Sequence, residues 1–207
     1  DRRLQVEGYA SSWKVRLLLE YLRGLPLAST RILFVDAYDV LLTPSAASML
    51  SRVRNATLFS TELDCWPDPA VCRAYPRAAR LNSGGLFGTV QALLGVLTTM
   101  VEEHPVLALC SDDQRAFQRY AMEHPTSLDL QSEIFQTMHG YNWTVDWDDD
   151  GAVVLAGSSQ SHEVVDARPA VLHFNSFDGK RMYETFAKAL DERRHKRTFV
   201  VSLQAER

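Results

Sequence analysis

Cysteine is scarce, with three residues in a chain of 207. A framework of several disulfides is therefore excluded as the source of stability, and a hydrophobic core must supply it. An excess of basic charge is missing too. Lysine and arginine number 22 against 26 acidic residues, a formal net charge of -4. A binder of nucleic acid phosphates needs a basic face, so that class is set aside and no nucleic-acid partner is expected. Long apolar runs are absent: none approaches the roughly 20 residues that span a bilayer. The chain opens on Asp1-Arg2-Arg3, which is no signal peptide, and no transmembrane segment is expected in it. Repeats and low-complexity tracts are lacking. What remains is the composition of an ordinary soluble domain, 46% hydrophobic and 23% charged, and residues 1–207 read as one domain.

Hydrophobic spacing alternates between helix and strand. Val15, Leu18, Leu19 and Leu22 predict a helix over Lys14 to Leu22, stopped near Gly24. Arg31 to Asp36 is a short, nearly continuous apolar run, the mark of a strand buried on both faces. Thr43-Pro44 starts a helix running to about Arg54. Ala56 to Ser60 reads as a strand, and Glu62 to Pro76 as an ordered loop. Asn82-Ser83-Gly84-Gly85 reads as a tight backbone feature. Helices are expected over Thr89 to Val101 and Asp112 to Glu123, and Leu128 to Leu130 is a short extended piece. Asp146 to Gly151 reads as an acidic turn. Strands follow over Val153 to Ala156 and Ala170 to His173, then a helix over Lys180 to Lys196. The alternation predicts an α/β fold.

Chemistry concentrates in a few places. Phe34-Val35-Asp36-Ala37-Tyr38-Asp39 sets two carboxylates past the carboxyl end of a strand, where open α/β sheets bind ligands. Adjacent carboxylates repel and resist desolvation, so such a pair calls for a cation, and hard oxygen ligands favour Mg²⁺ or Mn²⁺. The plain alternative is a strand-end turn capped by an aspartate. Aspartyl-phosphate phosphatases space their acidic residues two apart, whereas Asp36 and Asp39 are three apart, which argues against that chemistry. Val171-Leu172-His173-Phe174-Asn175 brings an imidazole to another strand end; alone it reads as a structural histidine, but with the two carboxylates it completes a divalent-ion ligand set. Gly84 and Gly85 permit close backbone approach, with Asn82 and Ser83 positioned to bond hydroxyls, although a plain turn explains them equally. Asp112 and Asp113 open a helix, where the dipole alone favours carboxylates.

Taken together, these segments resemble the glycosyltransferase domain of the procollagen lysyl hydroxylases, a domain of GT-A architecture. The matching stretches are Lys14-Val15-Arg16, Phe34 to Val40, Phe59-Ser60-Thr61-Glu62 with Cys65-Trp66-Pro67, and Tyr75-Pro76. Leu81 to Gly85, Asp112-Asp113-Gln114, Leu128-Asp129 with Ile134-Phe135-Gln136, and His173 with Asn175 follow in the same order. The resemblance implies a Rossmann-like mixed sheet flanked by helices, a UDP-sugar donor, Mn²⁺ (or Mg²⁺) and a hydroxyl acceptor on a polypeptide or glycan. By the same resemblance Asp36, Asp39 and His173 serve the metal and Tyr38 lies near the uridine. Lys14 and Lys180 face the diphosphate, and Trp66 borders the donor or acceptor pocket. Asn82, Ser83, Gly84, Gly85 and Asn175 belong to the donor site, and Asp112 and Asp113 lie near the transferred sugar as catalytic candidates.

The chain departs from the family pattern in three places. Ala10 to Trp13 stand where the family has glycines, Cys110 and Ser111 shorten its acidic run, and Phe174 and Ser176 replace glycines after the histidine. The first strand of a GT-A fold is not visible before Asp1; it is either cut off or the fold starts differently. Two functional readings stay open: a transferase moving glucose or galactose, with (galactosyl)hydroxylysine of collagen-like protein as acceptor, and an inactive nucleotide-sugar-binding or interaction domain of a larger collagen-modifying protein. Asn55-Ala56-Thr57 and Asn142-Trp143-Thr144 fit the N-glycosylation pattern and point to the lumen of the endoplasmic reticulum or Golgi. Cys65 and Cys72 are close enough to pair, leaving Cys110 over; the compartment decides between bridge and free thiols.

Overall fold

The structure, a computed structural model, describes residues 12–26, 29–43, 53, 57–63, 66–67, 74–75, 80–110, 112–140, 142–148, 152–158, 163–175, 181–188 and 201–203. Helix α1 (Ser12–Arg23) buries the expected stripe: Val15, Leu18, Leu19 and Leu22 point into the core. Its outer face carries the Arg16–Glu20 pair one turn apart. Strand β1 (Arg31–Val35) follows, then β2 (Val40–Leu42), β3 (Thr57–Thr61) and the long β4 (Leu81–Thr89). β4 is the middle strand of the order β1-β4-β3, antiparallel to both neighbours.

Helix α2 (Val90–Glu103) begins directly after β4, with the Thr89 hydroxyl accepting from the Ala92 N–H at 3.2 Å. Its residues Val90, Leu93, Val96, Leu97 and Met100 are buried. Two further helices follow, α3 (Pro105–Cys110) and α4 (Asp113–Glu123). Together with α1 these helices close the largest core cluster, which includes Phe59, Leu81, Leu86 and Phe117.

A second sheet has the order β2-β9-β5, where β5 is Phe135–Thr137 and β9 is Val171–His173. β2 runs antiparallel to β9, and β5 parallel to it. A third, antiparallel sheet contains β6 (Asn142–Trp147), β7 (Val153–Ser158), β8 (Glu163–Ala167) and β10 (Val201–Leu203). β6 alternates strictly, with Trp143, Val145 and Trp147 inward and Asn142, Thr144 and Asp146 outward. Residues 181–188 are helical and add Met182 and Phe186 to the core beneath this sheet. The architecture is the expected α/β fold with mixed sheets and flanking helices.

Several local expectations are corrected. β1 is not buried on both faces: Ile32 to Val35 are only partly buried. It has one paired neighbour, β4, among the described residues, and a cleft of about 450 Å³ lies between it and the Leu17 and Tyr21 side of α1. Asn82 to Gly85 do not form a turn but the interior of β4, all four buried. Asp146 and Trp147 belong to β6 rather than to an acidic turn. The expected helix over 44–54 apart from Val53, most of the loop over 62–76, Cys65, Cys72 and Lys180 lie outside the described residues.

Candidate active site

The turn 36–39 links β1 in one sheet to β2 in another, so its two aspartates sit where the sheets meet. Asp36 is fixed through its own N–H, which donates to the Gly84 carbonyl at 3.1 Å. Asp39 is fixed through its carbonyl, which accepts from the Phe174 N–H at 2.7 Å. β9 pairs Val40 opposite His173 and so delivers the imidazole to the same point. His173 Nε2 lies 3.4 Å from Asp39 Oδ2 and 3.7 Å from Asp36 Oδ2. The residue order in the chain gives no hint of how near these groups come; strand pairing does.

Gly84 lies directly beneath this triad. A Cβ there would stand 2.2 Å from His173 Cε1 and 2.8 Å from Asp36 Oδ2, so only glycine leaves room for both side chains. Gly85 is likewise required by close approach, of Phe135 and Ser60. The two glycines that suggested a turn are therefore explained by packing.

Charge is arranged in a chain. Lys14 Nζ, on α1, contacts Asp36 Oδ1 at 2.8 Å and Asp113 Oδ2 at 2.6 Å. Burial lowers the lysine pKa, but Asp113 and Asp36 more than offset it and hold the ammonium above its usual value. Burial likewise pushes the Asp39 carboxyl up, yet the hydrogen bond and charge of His173, a backbone N–H and Lys14 bring it below the usual aspartate value. The Asp39 carboxylate is thus ionised and ready to ligate at neutral pH.

The donor set suits a hard divalent ion. One ligand atom from each of Asp36, Asp39 and His173 falls within 4.8 Å of the others. Ligands about 2.1 Å from an octahedral ion stand about 3 Å apart, close to the separations found here. Beside the triad opens a cleft of about 830 Å³, reached by Lys14, Asp36, Tyr38, Asp39, Tyr183 and Glu184. Tyr38 is almost fully exposed at its rim.

The other expected residues divide. Asn82 turns inward: its Oδ1 accepts from the Gly84 N–H at 2.9 Å, and its Nδ2 donates to Glu62 Oε2 at 2.9 Å. Asn175 Nδ2 donates to the same carboxylate oxygen at 2.7 Å, while its Oδ1 is buried without a hydrogen-bond partner among the described residues. Ser83 is buried, and its N–H donates to Gln114 Oε1 at 3.4 Å. Asp112 caps α4, accepting from the Arg115 N–H at 3.1 Å. Asp113 is buried against Lys14. The Trp66 side chain is half exposed, and its carbonyl accepts from Gln114 Nε2 at 2.8 Å and Gln118 Nε2 at 2.7 Å.

Glu62 was not among the candidate site residues. It is a buried carboxylate that receives the amides of Asn82, Asn175 and Gln114. Its place immediately after β3 repeats the strand-end signal that revealed Asp36.

The family model of the PLOD GT domain matches residues 5–193. The chain belongs to this family. It is therefore a glycosyltransferase domain of the kind found in collagen-modifying enzymes. The chain is 32% identical over 125 residues to the procollagen-lysine,2-oxoglutarate 5-dioxygenase of Drosophila melanogaster, covering 54% of this chain and 16% of that protein. It is 32% identical over 123 residues to the multifunctional procollagen lysine hydroxylase and glycosyltransferase LH3 of Rattus norvegicus, covering 53% and 16%. With the multifunctional procollagen lysine hydroxylase and glycosyltransferase of Caenorhabditis elegans it shares 28% over 173 residues, covering 68% and 22%. The match thus spans less than a quarter of each of these relatives. Among the described residues of this glycosyltransferase domain no helix is long and apolar enough to cross a membrane.

Proposed function

We propose that the domain transfers glucose or galactose from a UDP-sugar to a hydroxyl group, with Asp36, Asp39 and His173 holding Mn²⁺ or Mg²⁺. The observation that carries the reading is the convergence of these three side chains at the mouth of a cleft, in a member of a glycosyltransferase family. When bound there, the ion supplies Lewis-acid neutralisation of the departing diphosphate. Lys14 adds a fixed positive charge to the same cleft and keeps Asp36 oriented by the 2.8 Å contact. Tyr38, exposed on the rim, offers an aromatic face to the base. Asn175 Oδ1 is a buried acceptor left over for a hydroxyl or an ordered water. Glu62 positions both asparagines through its two amide contacts. Lys180 completes the proposed diphosphate contacts, and Ser83, Gly84 and Gly85 shape the floor.

For the acceptor we propose (galactosyl)hydroxylysine of collagen-like polypeptide, supported by the names of the relatives, and a place in the lumen of the secretory pathway. Asn142 and Thr144 of one glycosylation triplet lie on the exposed face of β6, as an acceptor site requires.

The test is UDP release from UDP-glucose and UDP-galactose with and without Mn²⁺. Turnover should require the ion, prefer one sugar, and vanish in Asp39→Ala. Undiminished turnover in that variant defeats the assignment. One observation favours a second reading, a domain that binds nucleotide sugar without transferring it: both acidic candidates near the sugar are structurally engaged, Asp112 as a helix cap and Asp113 with Lys14. Mn²⁺-dependent UDP binding with no release of UDP from either sugar would select it.

A further inference from the structure

Two helices of this domain end in the same tripeptide. Glu103-His104-Pro105 closes α2 and Glu123-His124-Pro125 closes α4. The two histidines occupy equivalent C-cap positions, with the His104 N–H donating to the Met100 carbonyl and the His124 N–H to the Tyr120 carbonyl. The helices pack side by side, and the pairs cross between them. His104 Nε2 lies 2.5 Å from Glu123 Oε2, and His124 Nε2 lies 2.7 Å from Glu103 Oε2. One ligand atom each from Glu103, His104 and Glu123 falls within 4.8 Å of the others.

From this geometry we propose a second metal site, distinct from the cleft, in which Glu103, His104 and Glu123 bind a borderline transition ion of the Zn²⁺ type, with His124 orienting Glu103 through its hydrogen bond. Away from the cleft no diphosphate oxygens complete an octahedral shell, and one imidazole with two carboxylates then suits a four-coordinate ion such as Zn²⁺. Tetrahedral ligands about 2.0–2.1 Å from zinc stand about 3.3 Å apart, so the His104–Glu123 pair, now at 2.5 Å, needs to open by less than about 1 Å to admit the ion. The side chains are already oriented from behind. Arg119 holds Glu123 Oε1 at 2.5 Å and leaves Oε2 turned to His104. Tyr120 stacks on the His124 ring, centroids 4.5 Å apart at 23°. Partners of this kind fix a ligand's direction before the ion arrives. On binding, the His104 imidazole gives up its hydrogen bond to Glu123 and turns the Nε2 lone pair to the ion, keeping its one ring proton on Nδ1. An open fourth position remains for water.

The experiment is equilibrium dialysis of the full chain against Zn²⁺ at neutral pH. Asp36→Asn and Asp39→Asn are both introduced first, which removes the cleft site and makes the outcome independent of the proposed activity. One Zn²⁺ per chain is expected, none after adding His104→Asn, and about 10- to 100-fold weaker uptake after adding His124→Gln. The melting temperature should rise with Zn²⁺ in the background protein and stay fixed when His104→Asn is present. If the double background variant does not fold, the count is made on the wild-type chain, where His104→Asn should lower uptake from two ions to one. Absence of uptake in the folded background protein, or full uptake without His104, overturns the site and leaves the residues as ion pairs only.

Discussion

Gly84→Ala is the smallest change that should dismantle the candidate metal site while sparing the fold. The added methyl carbon would lie 2.2 Å from His173 Cε1, about 1.2 Å short of ordinary contact at 3.4 Å. It would also meet His173 Nδ1 and Asp36 Oδ2, both at 2.8 Å. Neither neighbour can yield freely. His173 is buried on β9, and Asp36 is held by Lys14. The imidazole must therefore swing away from Asp39 by about the missing distance, which breaks the 3.4 Å approach that joins the ligands. A displacement of about 1 Å at a reacting centre costs on the order of 100-fold in rate. Backbone pairing of β4 with β1 and β3 does not use the missing Cβ, so the sheets should survive. The assay pairs Mn²⁺ affinity, read by electron spin resonance, with Mn²⁺-dependent UDP release. Affinity should fall at least about 10-fold and turnover about 100-fold, with unchanged circular dichroism. A folded variant that keeps wild-type Mn²⁺ affinity would refute the idea that Asp36 and His173 act as one ligand group across Gly84.

Two further outcomes follow from the charges. Lys14→Met strands Asp113, which is buried, and should cost about 3 kcal/mol in urea unfolding, whereas Asp113→Asn with Lys14→Met together should recover part of it; equal cost in the single and double variants would rule out the pairing. Asp129 concerns pH. Burial holds its carboxyl above the ordinary 3.8, even though the Glu133, Ile134 and Phe135 N–H groups donate to it. The folded chain then binds that proton more tightly than the unfolded chain, so this group adds stability as pH falls from neutral through its raised pKa. In Asp129→Asn that component disappears, and the unfolding free energy of wild type minus variant should grow as pH drops from neutral toward 3.8; a shrinking difference would contradict the sign.

How legible the site was depended on whether a residue acts through local pattern or through packing. Asp36, Asp39 and His173 were readable because each lies at or just past the end of an apolar strand, and strand ends are where a sheet presents side chains to ligands. Asn82 to Gly85 misled because Asn, Ser and two glycines form the usual vocabulary of turns. In the folded chain those glycines are demanded by His173 and Phe135, residues far away in sequence, so no local rule could have placed them in a strand. The apolar run of β1 suggested burial on both faces, but composition cannot tell a central strand from one with a single partner. α3 was missed because six residues beginning with a proline carry too little periodicity to register. Glu62 was passed over for a different reason: its role depends on three amides brought from β4, α4 and the segment after β9.

Lys14 shows how these parts combine. Its position on α1 is set by the buried stripe of Val15, Leu18, Leu19 and Leu22, a pattern with no chemical content of its own. That stripe seats the helix so that the ammonium reaches Asp36 at the turn and Asp113 at the start of α4. One cation thereby ties the proposed metal ligands to the acidic residues near the proposed sugar position. The shortened acidic run strengthens the link: with Cys110 and Ser111 in place of further aspartates, Asp113 has the lysine as its charged partner, and Asp112 is occupied at the helix cap. For Asp113 to act beside the sugar as proposed, its carboxylate must part from the Lys14 ammonium that holds it. If Lys14 stays with Asp113 when UDP-sugar binds, the same architecture holds a nucleotide sugar and does nothing further with it.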